Sequence, residues 1–245
     1  MKTRHQKQTA SLAAALAFTL LTSCGTPNRL PDDYDYKIDM AEYESAVISN
    51  GKEHLILANK QHALGADYAP PALAVIPTEL TLYGKEIQME ATAAKAAEAL
   101  TLELHAHGYT DICITSGYRS FSYQQSLFNT YLGKEMAAHP GWTQAQCEAE
   151  VLTYSARPGE SEHQTGLCMD LISLNNVVLD ESFAQNPAYA YLVENAHHFG
   201  FILRYPKGKE GTTGYSYEPW HYRFVGVKAA TEIHEKGLTL EEYLN

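Results

Sequence analysis

The stretch that decides the fold is "SEHQTGLCMDL", residues 161–171. Its second half starts the apolar run "LCMDLIS" (167–173), which predicts a buried strand. Its first half is polar and contains His163, three residues before Gly166. Because residues 163 and 170 are an odd number of positions apart, one straight strand would point His163 and Asp170 to opposite faces. Gly166 permits a bend between them, so both side chains can reach one site.

The rest of the chain alternates helical and extended patterns around this strand. Helices are predicted at 89–107 (stopped by Gly108), at 123–132, 143–154 and 187–200, with two short helices at the end, the last capped by Thr239. Strands are predicted at "DICIT" (111–115), "FILRY" (201–205) and "WHYRFVG" (220–226), with a short extended segment at "HLILANK" (54–60). The pattern indicates one α+β domain, residues 46–245, with a small antiparallel sheet flanked by helices.

The N-terminus has the features of an export signal. Lys2, Arg4 and Lys7 precede the apolar run "TASLAAALAFTLL", which is too short to span a bilayer comfortably. The run ends in "LTSC" (21–24), which resembles the lipobox of bacterial lipoproteins, where the cysteine is lipidated. We therefore expect a signal peptide over 1–23, lipidation at Cys24 and a linker over 24–45. The protein would then be exported and held on the cell membrane by its lipid. An ordinary secretion signal or a short anchor helix is the alternative.

Composition excludes some classes of function. The chain has 245 residues, 45% of them apolar and 11% aromatic, and a formal net charge of −11, as expected of a folded domain. Without residues 1–23, which hold three basic and no acidic side chains, the charge is −14. Such a domain would repel nucleic-acid phosphates, so no nucleic-acid partner is expected. Three cysteines remain beyond Cys24, namely Cys113, Cys147 and Cys168, and their odd number leaves at least one thiol unpaired.

Three short stretches carry side chains suited to chemistry: "SGYRS" (116–120), "SEHQTGLCMD" (161–170) and "EPWHYR" (218–223). Zinc binds histidine nitrogens and carboxylate oxygens, and a catalytic zinc has three protein ligands and one open position. His163, Asp170 and His221 could supply those ligands. Pro219 removes a backbone donor and favours a kink that could aim Glu218 and His221 to the same side.

Other kinds of site are less well supported by the residues. "SNGK" (49–52) and "SLN" (173–175) match two elements of serine-dependent penicillin-binding enzymes, but K-T-G is absent and Asn50-Gly51 predicts a turn. Cys168 lies in an apolar run and is interpreted as a core residue rather than a nucleophile. Taken singly, each histidine is more often structural than a metal ligand.

Together the three stretches, in this order, resemble the signatures of the VanY-type zinc D-Ala-D-Ala carboxypeptidases. These enzymes belong to peptidase family M15 and to the LAS group of metallopeptidases, which shares a hedgehog-like fold. The resemblance covers about residues 50–230. It departs from the family pattern at Cys168, where small residues such as alanine are usual. Cysteine is small enough to pack at that position.

The resemblance implies a role for each matched residue. One Zn²⁺ per chain would be bound by His163, Asp170 and His221. Glu218 would be the general base that takes a proton from the zinc-activated water and passes it to the leaving amine. Arg119 would stabilise the negative charge that grows on the scissile carbonyl oxygen.

The resemblance also implies residues that hold the substrate and the class of that substrate. Gln124 and Ser161 are candidates for binding the substrate's backbone or carboxylate, and Tyr118 for shaping the pocket. The implied substrates are peptidoglycan stem peptides that lose a terminal D-Ala. D,D-cleavage of pentapeptides and L,D-cleavage of tetrapeptides share these signatures and both stay open. The alternative from a different functional class is a peptidoglycan-binding module of the cell wall that has no catalytic activity.

Overall fold

The computed structural model describes residues 29–31 and 33–245. The predicted signal peptide and Cys24 therefore lie outside the described residues. The helices are α1 (Glu44–Val47), α2 (Ala91–Ala106), α3 (Phe121–Ala138), α4 (Gln144–Tyr154), α5 (Pro187–Asn195), α6 (Glu210–Thr213), α7 (Val227–Lys236) and α8 (Leu240–Leu244). The strands are β1 (Leu73–Val75), β2 (Gln88–Glu90), β3 (Ile112–Ser116), β4 (Cys168–Ser173), β5 (Phe201–Leu203) and β6 (His221–Phe224).

The main sheet has four strands in the order β3-β4-β6-β5, and every neighbouring pair is antiparallel. Strands β1 and β2 form a separate antiparallel pair. The α+β prediction is therefore confirmed, and each predicted strand of the main sheet exists to within a few residues.

The central strand β4 is buried along its whole length, although its two faces differ. Met169 and Leu171 belong to the main hydrophobic core, together with Tyr222 and Phe224 of the neighbouring β6. The alternate residues on the opposite face of β4 begin with Cys168 and Asp170, because side chains alternate along a strand. One face of the sheet therefore fills the core, and the other carries polar groups.

Helix α2 packs on the core face through alanines and leucines that are almost all inaccessible to solvent. It begins at Glu90, whose carboxylate accepts hydrogen bonds from the backbone N–H groups of Thr92 and Ala93, as an N-cap does. It ends before Gly108, which has a φ of +92° and so takes a conformation that favours glycine. These bounds confirm the helix predicted at 89–107.

Helices α3 and α4 pack against each other beyond β3 and form one side of a cleft. Ser120 caps α3, and Thr143 and Gln146 form a reciprocal capping box at the start of α4. Thr239 caps α8 in the same way, as predicted.

The segment before residue 46 differs from the predicted linker. Met40 and Tyr43 are buried in the main core, and Tyr34 and Tyr36 pack against it. Glu103 of α2 accepts hydrogen bonds from the backbone N–H groups of residues 37 and 38. The linker prediction is therefore wrong for these residues, because alternate apolar side chains hold the segment on the domain.

Two further observations concern the sequence predictions. The segment 54–60, predicted as extended, contains the end of a 3₁₀ turn, Lys52–Leu55, and no strand of either sheet. All three cysteines beyond Cys24 are buried free thiols.

Within residues 29–31 and 33–245, no helix combines the length and apolar character needed to cross a membrane.

Candidate metal centre

The polar face of the sheet brings Asp170 and His221 together. The two residues are directly opposite partners in the β4–β6 register, and both are buried. Asp170 Oδ1 lies 3.1 Å from His221 Nδ1. His221 follows a turn at Pro219 that is closed by a hydrogen bond from its N–H to the carbonyl of Glu218. The predicted kink between residues 218 and 221 is therefore present.

His163 reaches the same point from outside the sheet. It lies in the 3₁₀ turn Glu162–Thr165, which ends at Gly166 with a φ of +69°. That left-handed glycine provides the predicted bend, and it sets His163 Nε2 3.2 Å from Asp170 Oδ2. His163 and His221 thus both contact the carboxylate of Asp170, and the three predicted metal ligands lie together.

Each imidazole has one nitrogen directed at Asp170 and the other at a protein acceptor. His163 Nδ1 donates to the carbonyl of Gly117 at 2.6 Å, so in the neutral ring the free lone pair is on Nε2, toward Asp170. His221 Nε2 faces the carboxylate of Glu162 at 3.5 Å, which leaves Nδ1 toward the site. Such outer partners fix the tautomer and ring orientation of metal-binding histidines.

The electrostatics of the site favour a positive charge. Burial opposes ionisation of Asp170, but His163 and His221 hold the pKa of its carboxyl well below its usual value. Burial and Arg119 lower the pKa of His163, yet Cys168 and Asp170 raise it to about 9. Asp170 Oδ1 is buried, and although His221 Nδ1 lies 3.1 Å away, no described residue forms a well-oriented hydrogen bond with it. Two nitrogens and a carboxylate in this arrangement fit the donor set of a catalytic zinc ion.

Cys168 lies closer to this centre than its interpretation as a core residue suggests. Its sulfur and one ligand nitrogen each of His163 and His221 all lie within 4.8 Å of one another. Burial raises the pKa of the thiol, but the two histidines lower it overall to about 7. The residue is fully buried, as predicted, and it is also a neighbour of the metal-ligating atoms.

Glu218 and Arg119 lie in the wall of the adjoining cleft. Glu218 Oε2 is 3.6 Å from His221 Nδ1, and burial raises the pKa of its carboxyl. Arg119 donates from Nη1 to Gln124 Oε1 at 2.9 Å, whereas its buried Nε has no hydrogen-bond partner among the residues that the structure describes. Both side chains predicted to act in catalysis therefore line the cleft next to the predicted metal ligands.

The predicted substrate-binding residues have different surroundings. Gln124 is buried, and its amide nitrogen donates to the carbonyl of Ala156 at 2.8 Å while its oxygen holds Arg119. This geometry makes Gln124 a support for Arg119. Ser161 is buried in the cleft wall. Tyr118 is not part of the cleft wall, and its backbone N–H donates to Gln88.

Sequence reasoning missed the buried ionic network behind the histidines. Glu162 Oε1 accepts from Arg204 Nε at 2.7 Å and from Arg223 Nη1 at 2.6 Å. Arg204 also binds Glu241 of α8 through two hydrogen bonds. Despite burial, the two arginines hold the pKa of Glu162 well below its usual value. The sequence feature that could have indicated this network is the glutamate next to His163. Arg223 has a structural role, because its guanidinium also donates to the backbone carbonyls of His54 and Ile56.

The cleft in front of the centre has a volume of about 480 Å³. Its wall includes Arg119, Glu218 and the three predicted metal ligands, together with several aromatic or apolar side chains: Tyr123, Leu127, Tyr131, Tyr154, Leu179, Tyr215 and Trp220. A cleft of this size and composition is suited to a small or extended polar molecule.

Comparisons with known proteins bear on the sequence and on the fold. The profile of the family described as "VanY: D-alanyl-D-alanine carboxypeptidase" matches residues 86–227. The Bacillus subtilis protein YodJ is 42% identical over 200 residues, 80% of this chain and 68% of its own. The D-alanyl-D-alanine carboxypeptidase of Enterococcus faecalis is 39% identical over 191 residues; the match covers 78% of this chain and 65% of the relative, just under two thirds.

Two solved structures are similar throughout the domain. The structure of the LD-carboxypeptidase LdcB matches with a TM-score of 0.68 and 38% sequence identity. The match covers 78% of this chain and 85% of the LdcB chain. A D,D-pentapeptidase VanY from a VanB-type vancomycin resistance cassette, in complex with Zn(II), has a TM-score of 0.64 and 36% identity. It covers 79% of this chain and 99% of that one.

Proposed function

Because the chain belongs to the VanY family of D-alanyl-D-alanine carboxypeptidases, we propose that it is a zinc-dependent D,D-carboxypeptidase acting on peptidoglycan stem peptides. The observation that carries this proposal is the convergence of His163, Asp170 and His221 beside a cleft. The related VanY structure that contains Zn(II) supports the choice of metal.

In this proposal one zinc ion is held by His163 Nε2, His221 Nδ1 and the Asp170 carboxylate. Zinc, when bound, supplies a Lewis acid that lowers the pKa of water toward neutrality and polarises a carbonyl group. Gly117 and Glu162 keep the two imidazoles oriented toward Asp170. The protein thus provides a preformed donor set with its cleft side accessible to water and substrate.

Glu218 is the proposed general base. Its carboxylate lies beside His221 on the cleft wall, where it can accept a proton from the attacking water and transfer it to the leaving amine. Burial raises the pKa of Glu218, which makes the protonated form easier to reach during transfer than for an exposed glutamate.

Arg119 is the proposed stabiliser of the scissile carbonyl. Its guanidinium lies in the same wall and carries a permanent charge that would face the oxygen on which negative charge develops. Gln124 fixes one of its nitrogens and leaves other N–H groups available. Ser161 remains a candidate for contacting the substrate.

The experiment uses the full chain, stripped with a chelator and then reloaded with zinc. Each form is incubated with synthetic tetrapeptide and pentapeptide stems, and released D-alanine is measured by mass spectrometry alongside bound metal. We expect about one zinc per chain and zinc-dependent release from the pentapeptide. Zinc-loaded protein that releases no D-alanine from either stem would contradict the enzyme proposal and favour a wall-binding module.

L,D-carboxypeptidase activity is the second candidate. The similarity to the LD-carboxypeptidase LdcB, at 38% identity and a TM-score of 0.68, favours including it. The same experiment separates the two activities, because an L,D-enzyme would release D-alanine from the tetrapeptide and a D,D-enzyme from the pentapeptide.

Export and lipid anchoring at Cys24 stay part of the proposal, supported by the "LTSC" sequence after a short apolar run. Metabolic labelling of the full chain with a radioactive fatty acid tests it. Label in the wild type and none in Cys24→Ala is expected; equal labelling of both would contradict lipidation at this residue.

A further inference from the structure

Cys168 stands at the start of β4, two residues before Asp170, and therefore on the same face of the strand. Its partner across the β4–β6 pair is Arg223, just as the partner of Asp170 is His221. The register thus places a thiol next to the carboxylate on the polar face of the sheet. Cys168 is entirely inaccessible to solvent.

The sulfur of Cys168 is within reach of a metal ion held by the two histidines. It lies with ligand nitrogens of His163 and His221 inside a mutual distance of 4.8 Å. Zinc–sulfur bonds of about 2.3 Å and zinc–nitrogen bonds of about 2.0–2.1 Å place sulfur and nitrogen about 3.5 Å apart at a tetrahedral angle. Shifts of about 1 Å or less would bring the three atoms onto one ion.

Cys168 approaches the proposed metal position from a different side than the other three donors. His163, Asp170 and His221 all line the cleft, whereas Cys168 does not. The thiol therefore reaches the centre from the buried side, and a bond to it would leave the cleft side open to water. Independently, Asp170 Oδ1 is a buried carboxylate oxygen without a well-oriented hydrogen-bond partner among the described residues, which suits an oxygen that binds a cation.

We propose that Cys168 Sγ is a fourth protein donor to the metal ion, in addition to His163, Asp170 and His221. The inference rests on the proposed function, since it requires that the centre bind a metal. Alanine at this position would offer no donor. Thiolate is a soft ligand and favours zinc-like ions over magnesium or calcium. This chain would therefore have a metal centre with four protein donors, one of them sulfur, and an ion that also binds water on the cleft side would be five-coordinate rather than tetrahedral.

The test is cobalt substitution of the full chain, read by absorption spectroscopy rather than by activity. Co(II) bound at the centre gives visible d–d bands, and a cobalt–thiolate bond adds a near-ultraviolet charge-transfer band. We expect both bands in the wild type and loss of only the charge-transfer band in Cys168→Ala. Cys147→Ala, which removes another buried thiol, is the matched control and should keep both.

A second measurement guards against failure of the variant to fold. The ¹¹³Cd NMR signal of the cadmium-loaded wild type should lie downfield of the range typical of sites with only nitrogen and oxygen donors. Visible d–d bands without a charge-transfer band, together with a cadmium signal in the nitrogen and oxygen range, would overturn the role of Cys168 alone. Absence of any bound metal would overturn it together with the proposed zinc dependence.

Discussion

Asp170 and His221 face each other across two antiparallel strands, with Oδ1 and Nδ1 3.1 Å apart. Their pairing is set by the register of β4 and β6, and the same register pairs Met169 with Tyr222 on the core face. Burial of those two apolar side chains therefore fixes the relative position of two proposed metal ligands. Four predictions concern residues near this pair, and a fifth concerns a buried histidine elsewhere in the fold.

Replacement of Glu218 by glutamine should abolish most activity without unfolding the protein. Glutamine keeps the shape of the side chain but cannot accept the proton of the attacking water. We expect kcat to fall by about 10²–10⁴-fold, with metal content and Tm close to the wild type. A Glu218→Gln variant of nearly wild-type kcat would remove this residue from the proposed mechanism.

Arg119 and Gln124 should act as one unit. Arg119→Ala should lower kcat/KM by about 10²–10³-fold, and Gln124→Leu by less, because the guanidinium loses a support but stays present. In the double variant the loss should hardly exceed that of Arg119→Ala alone. Strictly additive losses would show that Gln124 acts independently, as in direct substrate binding.

Glu162→Gln should weaken metal binding from outside the ligand set. The carboxylate faces His221 Nε2 and neutralises two buried arginines. We expect the metal Kd, measured by competition with a chromogenic chelator, to rise about 10–100-fold, with a lower Tm. Glu232→Gln, which breaks a solvent-exposed pair with Lys228, is the control and should change neither.

Gly166→Ala should destabilise the domain. The residue has a φ of +69°, and a Cβ there would lie 2.8 Å from the backbone nitrogen of Glu90. We expect a loss of about 2 kcal/mol or more in the free energy of unfolding, measured with urea. Gly133→Ala, in the middle of α3 with open space around it, should instead be neutral or stabilise by up to about 1 kcal/mol.

His197 should make stability depend on pH away from the metal centre. Burial, His198 and His234 lower its pKa from 6.5 to about 3, with opposing effects from Asp33 and the Glu194 backbone. Between these pH values the unfolded chain binds a proton that the folded protein does not, so Tm should fall as pH falls below 6.5. His197→Phe should flatten this decline, and an unchanged profile would contradict the assignment.

The sequence was sufficient for much of the site, because its signals are local. The odd spacing of His163 and Asp170 required a bend, and Gly166 provides it. Pro219 similarly identified the turn before His221. The strands could be predicted from their alternation, although the order β3-β4-β6-β5 depends on contacts between distant segments.

The unpredicted features all depend on such distant contacts. Arg204 and Glu241 are 37 residues apart and meet only in the folded chain. Tyr43 looked like part of a polar linker, since the core that buries it is formed by later residues. Cys168 was predicted to be buried, but its distance from His221 on another strand could not be read from spacing.

Because the two faces of β4 have different roles, the chain cannot easily gain or lose a residue within this strand. Inserting or deleting one residue within Cys168–Ser173 would turn the face that carries Asp170 toward the core and the face that carries Met169 toward the cleft. Such a change would remove Asp170 from the histidines and Met169 from the core at once. Insertions that homologues tolerate should therefore fall before the Gly166 bend or after Ser173, where the chain leaves the sheet.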